Sequence, residues 1–176
     1  MDRGKLLKAA FPELESTDPV GAFGQLGDLF HALSYAWLYW PKAIEIHGAV
    51  FIALDGGDEA EIRRRLGVPY GDEHPNWPPM SWSDAVESYN RVEIEQLFRV
   101  WHGPAELVGE AALVLGEFLR ETWRHRLADL FPDRSFSVEL KADLESDGPW
   151  IQVRQTRPEL VQPQGWDAKR RFIRSE

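Results

Sequence analysis

The sequence predicts an α+β fold: two antiparallel β-hairpins at about 43–54 and 135–155, packed with an αα-hairpin at about 83–130 and an N-terminal helix at about 19–40. Three observations predict it. Phe23, Leu26, Phe30, Leu33, Trp37 and Trp40 recur in alternating steps of three and four, the spacing of one helix face. Two apolar or alternating runs are each interrupted by turn residues, as hairpins are. Between those runs lies a long stretch whose apolar residues keep helical spacing.

Taken in order, residues 5–11 read as a short amphipathic helix ending before Pro12. Thr17 or Asp18 caps the next helix, and Pro19 stands in its first turn, where a missing N–H leaves no bond unmade. Gly21, Gly24 and Gly27 each weaken that helix by about 1 kcal/mol relative to Ala, so its first half is irregular or lies against another backbone. The pattern is cleanest from Leu26 to Tyr39 and stops at Pro41, and its aromatic seam is expected to be buried in the core.

Residues 43–54 are β-branched and apolar around one glycine, which predicts a hairpin turning at His47-Gly48; a single long strand bulged at Gly48 is the alternative. Asp58 caps a short helix over 59–66 with acids in its first turn and arginines later. Residues 68–81 hold four prolines and no periodicity, and are a loop long enough to suggest a task. Ser81 or Ser83 then caps a helix in which Ala85, Val86, Tyr89, Val92, Leu97, Val100 and Trp101 keep approximate spacing as far as His102-Gly103-Pro104. A second helix, from about 105 to 130, sets Glu106, Glu110, Glu117 and Glu121 opposite Val108, Ala111, Ala112, Leu115 and Leu119. Alternation over 135–144, a turn at Glu145-Ser146-Asp147-Gly148-Pro149 and a return over 150–155 make the second hairpin. Residues 1–158 are expected to form a single globular domain and 159–176 a basic C-terminal tail, with a short helix over 167–174.

Composition narrows the function. Residues 1–176 are 43% hydrophobic and include eight tryptophans, enough apolar bulk for one core. Twenty basic against 29 acidic residues give a net charge of −9, which disfavours a nucleic-acid backbone or an anionic membrane as the main partner. The last 25 residues run the other way, carrying Arg154, Arg157, Lys169, Arg170, Arg171 and Arg174 against Glu159, Asp167 and Glu176. With no cysteine there is no disulfide or thiolate chemistry, and with no long apolar run there is no membrane span, so a cytoplasmic protein is expected, its oligomeric state left open.

Candidate sites are few. The loop bearing Tyr70, His74, Trp77 and Trp82 combines stiff Pro-rich backbone with rings of the kind enriched at binding hot spots. Arg170 and Arg171, with Lys169 and Arg174, make a short basic segment suited to an acidic surface. Glu121 and His125 stand four apart on one helix face, as an acid–base pair would, although Glu117, Glu121 and Arg124 equally suit a surface ion-pair network. His47, Asp55, Asp58 and His74 are the residues from which a metal site would be built, although Asp55-Gly56-Gly57-Asp58 is also ordinary turn and cap chemistry. Neither a phosphate-binding glycine loop, a HExxH pair nor a Gly-x-Ser-x-Gly elbow occurs, and no cofactor is implied.

These observations lead to an expected non-enzymatic cytoplasmic protein-binding domain, regulatory, neutralising or immunity-like, that recognises a protein partner through the aromatic Pro-rich loop and its acidic surface. A small hydrolase-type enzyme with a His/carboxylate acid–base or metal site is the alternative. A structural subunit docked by its basic tail is the second alternative.

Overall fold

In the computed structural model, which describes residues 3–15, 18–54, 59–69, 78–98, 103–142 and 148–174, helices alternate with short antiparallel strands. The order is α1 (Arg3–Ala10), α2 (Pro19–Leu26), α3 (Leu29–Tyr39), β1 (Lys42–Ile46), β2 (Ala49–Ala53), α4 (Glu59–Gly67), α5 (Trp82–Tyr89), β3 (Arg91–Glu93), α6 (Val108–Leu130), β4 (Ser135–Lys141), β5 (Trp150–Arg157), β6 (Trp166–Asp167) and β7 (Phe172–Ile173). The fold is α+β, with β1 paired to β2, β5 between β3 and β4, and β6 paired to β7, all antiparallel.

The strands of both expected hairpins pair antiparallel, β1 with β2 and β4 with β5. His47 and Gly48 take φ of 49° and 75°, the left-handed pair that a two-residue turn between β1 and β2 requires. On β4 and β5 the register sets Val138 against Val153 and Leu140 against Ile151, so cross-strand apolar pairs share the inner face.

Three expectations are corrected. The helix over 19–40 is two helices: the Gly27 N–H still bonds the Phe23 carbonyl at 2.9 Å, but its backbone is extended, and a Cβ at this position would run into that same carbonyl. Asp28 then accepts from the His31 N–H at 2.9 Å and starts α3 afresh. The first helix of the αα-hairpin over 83–130 is cut short: α5 ends at Tyr89, Arg91–Glu93 joins the sheet as β3, and a 3₁₀ turn follows over Glu95–Leu97. The short helix over 167–174 is instead the β6–β7 pair, with Trp166 opposite Ile173 and Asp167 opposite Phe172.

The β1–β2 hairpin divides two cores. Along β2 every residue is buried, and successive side chains point to opposite faces. Val50 and Ile52 join Ile94, Leu119, Trp123, Leu127, Ile151 and Val153 on the side of α6 and the three-stranded sheet. Ala49, Phe51 and Ala53, with Ile44 and Ile46 of β1, join Ile62, Leu66, Trp82, Val86 and Trp166 on the side of α4, α5 and the C-terminal segment.

A strand buried on both faces leaves its free edge to be satisfied from within. Asn90, 1% exposed, does this: its Oδ1 accepts from the Ile52 N–H at 2.9 Å, its Nδ2 donates to the Val50 carbonyl at 2.8 Å, and its own carbonyl accepts from the Val153 N–H at 3.2 Å. One residue thereby joins the hairpin to the three-stranded sheet. Further along the same edge, Arg134 and Gln155 both donate to the Gly48 carbonyl, at 2.8 and 3.2 Å.

Asn90→Ala should lower the unfolding free energy by about 2–4 kcal/mol, since it strands one buried donor and one buried acceptor. Asn90→Asp should also destabilise, because it cannot donate to Val50 and carries a charge into the core. Urea denaturation read by far-UV circular dichroism tests both, and a loss within about 0.5 kcal/mol for Asn90→Ala would show that this bridge does not carry the junction.

Candidate functional site

The aromatic seam expected in the core lies on the outside. Phe23, Phe30, Leu33 and Trp37 are 71, 78, 66 and 68% exposed, and Leu26 and Trp40 are exposed as well. The face is wider than the seam, because Val20, Leu29, Tyr35 and Tyr39 are also exposed. Within α3 Leu38 is buried and every other residue is solvent-facing.

Chemically this pair of helices is almost featureless. Neither α2 nor α3 contains an Asp, Glu, Lys or Arg. Polar character sits at the ends and edges: Asp18 accepts from the Gly21 N–H at 3.0 Å, and Asp28 lies 3.8 Å from the His31 ring nitrogen. His31 stacks on Tyr35 at 6.4 Å between centroids, and Tyr35 meets Phe98 edge-on at 6.0 Å. Partial burial, with a smaller contribution from Tyr35, raises the Tyr39 phenol above its ordinary pKa and keeps it neutral.

α3 is held chiefly at its C-terminal end. The Trp123 indole, fully buried on α6, donates to the Leu38 carbonyl at 2.7 Å, and the Arg126 guanidinium lies over the Trp40 ring at 5.0 Å. Arg126, which stands on the apolar side of α6, therefore pins the end of α3. Beside α3 a cleft of about 250 Å³ opens between Tyr35, Trp37, Leu54, Leu97 and Phe98. On the other side of Phe98 a second cavity, about 350 Å³, lies between α1 and the start of α6, lined by Leu6, Phe11, Ile94, Leu107 and Leu115, with Glu95 as its single acid. These features suit the reception of apolar side chains; among the lining residues no acid–base pair converges.

The sequence candidates scatter. Tyr70, His74, Trp77, Asp55 and Asp58 lie outside the described residues. Trp82 is 1% exposed and packs edge-on against Phe51 and Trp166, so it anchors the second core. His47 sits at the exposed hairpin turn with its ring 6.4 Å from Trp82. Glu121 is shared between Arg120 at 3.0 Å and Arg124 at 2.6 Å, and among the described residues no hydrogen bond or ion pair joins it to His125. Among the described residues no three His, Asp or Glu side chains gather as a metal ion requires, and no helix is long and apolar enough to cross a membrane.

The basic segment is folded back on the second core. Trp166 donates from its indole to the Met80 carbonyl at 3.1 Å, the Met80 N–H bonds the Ala168 carbonyl at 2.8 Å, and Arg171 donates to the Pro78 carbonyl at 3.3 Å. The Arg170 side chain lies over the Phe172 ring. Asp167 closes this hairpin: its carboxylate meets the Arg174 guanidinium at 2.6 Å and accepts from the Lys169 and Arg170 N–H groups.

Periodicity alone marks this helical face as a core seam rather than a site. A signal was present: from Leu29 to Pro41 no Asp, Glu, Lys or Arg appears on any side of the helix, whereas a helix at a protein surface normally carries a charged face. Comparison with protein-family models, characterised proteins and solved structures gives no match, so the surface stands on its own geometry.

The Arg174 guanidinium, followed by the Arg170 N–H, holds the Asp167 carboxyl below the usual range. A carboxylate with a depressed folded-state pKa contributes stability that is present above the ordinary Asp value and is lost as pH falls through the folded value. Carbon-detected NMR titration should place Asp167 below an unperturbed aspartate, and Arg174→Ala should raise it, with faster amide exchange at Arg170 in acid. An unshifted Asp167 in the intact chain would mean that the segment is not docked in solution.

Proposed function

We propose that this chain is a non-enzymatic protein-binding module whose docking surface is the α2–α3 face. The reading is supported above all by one observation: α3 is predominantly apolar, has no Asp, Glu, Lys or Arg on any side, and is exposed on nearly every side. A helix without a charged face suits an interior, and here the fold leaves it outside. Scattered apolar residues on a surface are ordinary, but monomers rarely leave a contiguous apolar patch larger than about 300–600 Å². The exposed side chains of α2 and α3 present roughly 1,000 Å², at about 150–250 Å² for each large ring.

Protein suits this surface better than the other classes of partner. Phosphate backbones and anionic lipid headgroups reward Lys and Arg, which both helices lack. Trp, Tyr and Phe, by contrast, are the side chains that most often carry binding energy between proteins. The loop around Trp77 and the acidic surface of the chain remain part of the proposal as a second contact, and the two helices replace them as its centre.

The test is a photo-crosslinker introduced in cells. p-Benzoylphenylalanine at Phe30 should give one discrete covalent adduct, and the same group at Arg124, on the solvent side of α6, should give none. Equal labelling from both positions, or none from Phe30, would remove the proposal.

A further inference from the structure

Building on the interaction surface proposed above, we infer that the partner covering α2 and α3 is a second copy of this chain, giving a two-fold homodimer. Four features of the face fit a copy of itself. The first is its area: roughly 1,000 Å² of exposed apolar side chain matches the about 800 Å² per partner that a stable interface buries. The second is composition. Interfaces that open and close resemble ordinary protein surface, whereas permanent homodimer interfaces are more apolar, and this face has no formally charged side chain on either helix.

Charge supplies the third. Two copies of a chain carrying −9 repel one another over most of their surface, and the stretch from Leu29 to Pro41, without an acid, is where they approach at least cost. Shape supplies the fourth. A two-fold interface must be complementary to itself, so protrusion and recess have to lie on the same patch. Here Phe30, Leu33 and Trp37 protrude from α3, and the 250 Å³ cleft between Trp37, Leu54 and Phe98 lies directly alongside. A flat partner covers one side of a helix, whereas two α2–α3 pairs packed across an axis cover each other's flanks, as the helices of a four-helix arrangement do.

The experiment is light scattering with size-exclusion chromatography on the purified full chain over a concentration series, with anilinonaphthalene sulfonate fluorescence on the same samples. Wild type should have a mass of about 40 kDa, twice the 20.2 kDa of the chain, with little dye fluorescence. The double variant Phe30→Asp/Leu33→Asp should halve that mass while keeping the far-UV circular dichroism of the wild type, since both side chains are exposed within one copy. As the chain has no cysteine, a nitroxide on Arg124→Cys, exposed on α6 and away from the proposed face, is unique and serves as a non-disruptive second variant. A dipolar distance between the two labels is expected, and its absence overturns the homodimer. A wild type that stays at 20.2 kDa and binds the dye also overturns the homodimer but leaves the protein-binding reading intact, with crosslinking at Phe30 then naming another protein. A monomer that binds no dye overturns both, and one that floats with phosphatidylcholine vesicles replaces both with a membrane surface. A dimer that survives the double substitution places the interface elsewhere and overturns the inference.

Discussion

Everything in this fold is arranged around a strand that has no face in water. β2 is buried on both sides, so each of its backbone groups must find a partner inside the protein, and β1 supplies partners along one edge only. The other edge is completed by the Asn90 carboxamide, which imitates a neighbouring strand by accepting from Ile52 and donating to Val50. Leaving either group bare would cost about 1–3 kcal/mol, a sizeable part of the stability of a domain this size. That requirement explains why α5 cannot continue: Asn90 has to cap it, turn its side chain to β2 and release the chain into β3 against β5. The hairpin is therefore tied to the three-stranded sheet through side chains, Asn90 at its centre and Arg134 and Gln155 at Gly48, rather than through a continuous sheet.

The same hairpin sets the position of the apolar helices. Trp40 and Pro41 alone separate α3 from β1, so the start of β1 fixes where α3 ends, and Trp123 fastens that end through the Leu38 carbonyl. The rest of α3 projects away from this anchor. Its presentation is thus the work of rigid elements, α6 and β1, while its own residues contribute little to the two cores beneath.

Sequence and structure agree where a pattern has one physical meaning. Alternation over 135–141 with a return over 150–157 has no good helical interpretation, and a glycine after a residue tolerant of positive φ marks a two-residue turn at His47-Gly48. They part where a pattern has two meanings. Ala85, Val86 and Tyr89 make α5, but Val92 and Leu97 fall at helical spacing by coincidence, one on a three-residue strand and the other in a 3₁₀ turn. What decides between them is the buried demand of β2 for Asn90, a contact across 38 residues that no local window contains. Local spacing likewise suggests a helix over 167–174, whereas the segment pairs as β6 and β7 and Trp166 packs against Trp82 far back in the chain.

The candidate surface differs from these cases in kind. Its periodicity marks helical structure, divided at Gly27 into α2 and α3, yet spacing reports which residues share a face and is silent about what that face meets. An isolated helix of 11 residues is marginal in water, and neither α2 nor α3 has the ion pairs that support α4, where Glu61 is drawn down to about 2 by Arg64 and then Arg65. Such helices are stabilised by packing, and the packing available within one copy reaches α3 mainly at Leu38. On the proposed function, then, the cover over Phe30, Leu33 and Trp37 completes the structure as well as serving it. On that proposal the sequence of α2 and α3 resembles a core because, once covered, a core is what these residues would form.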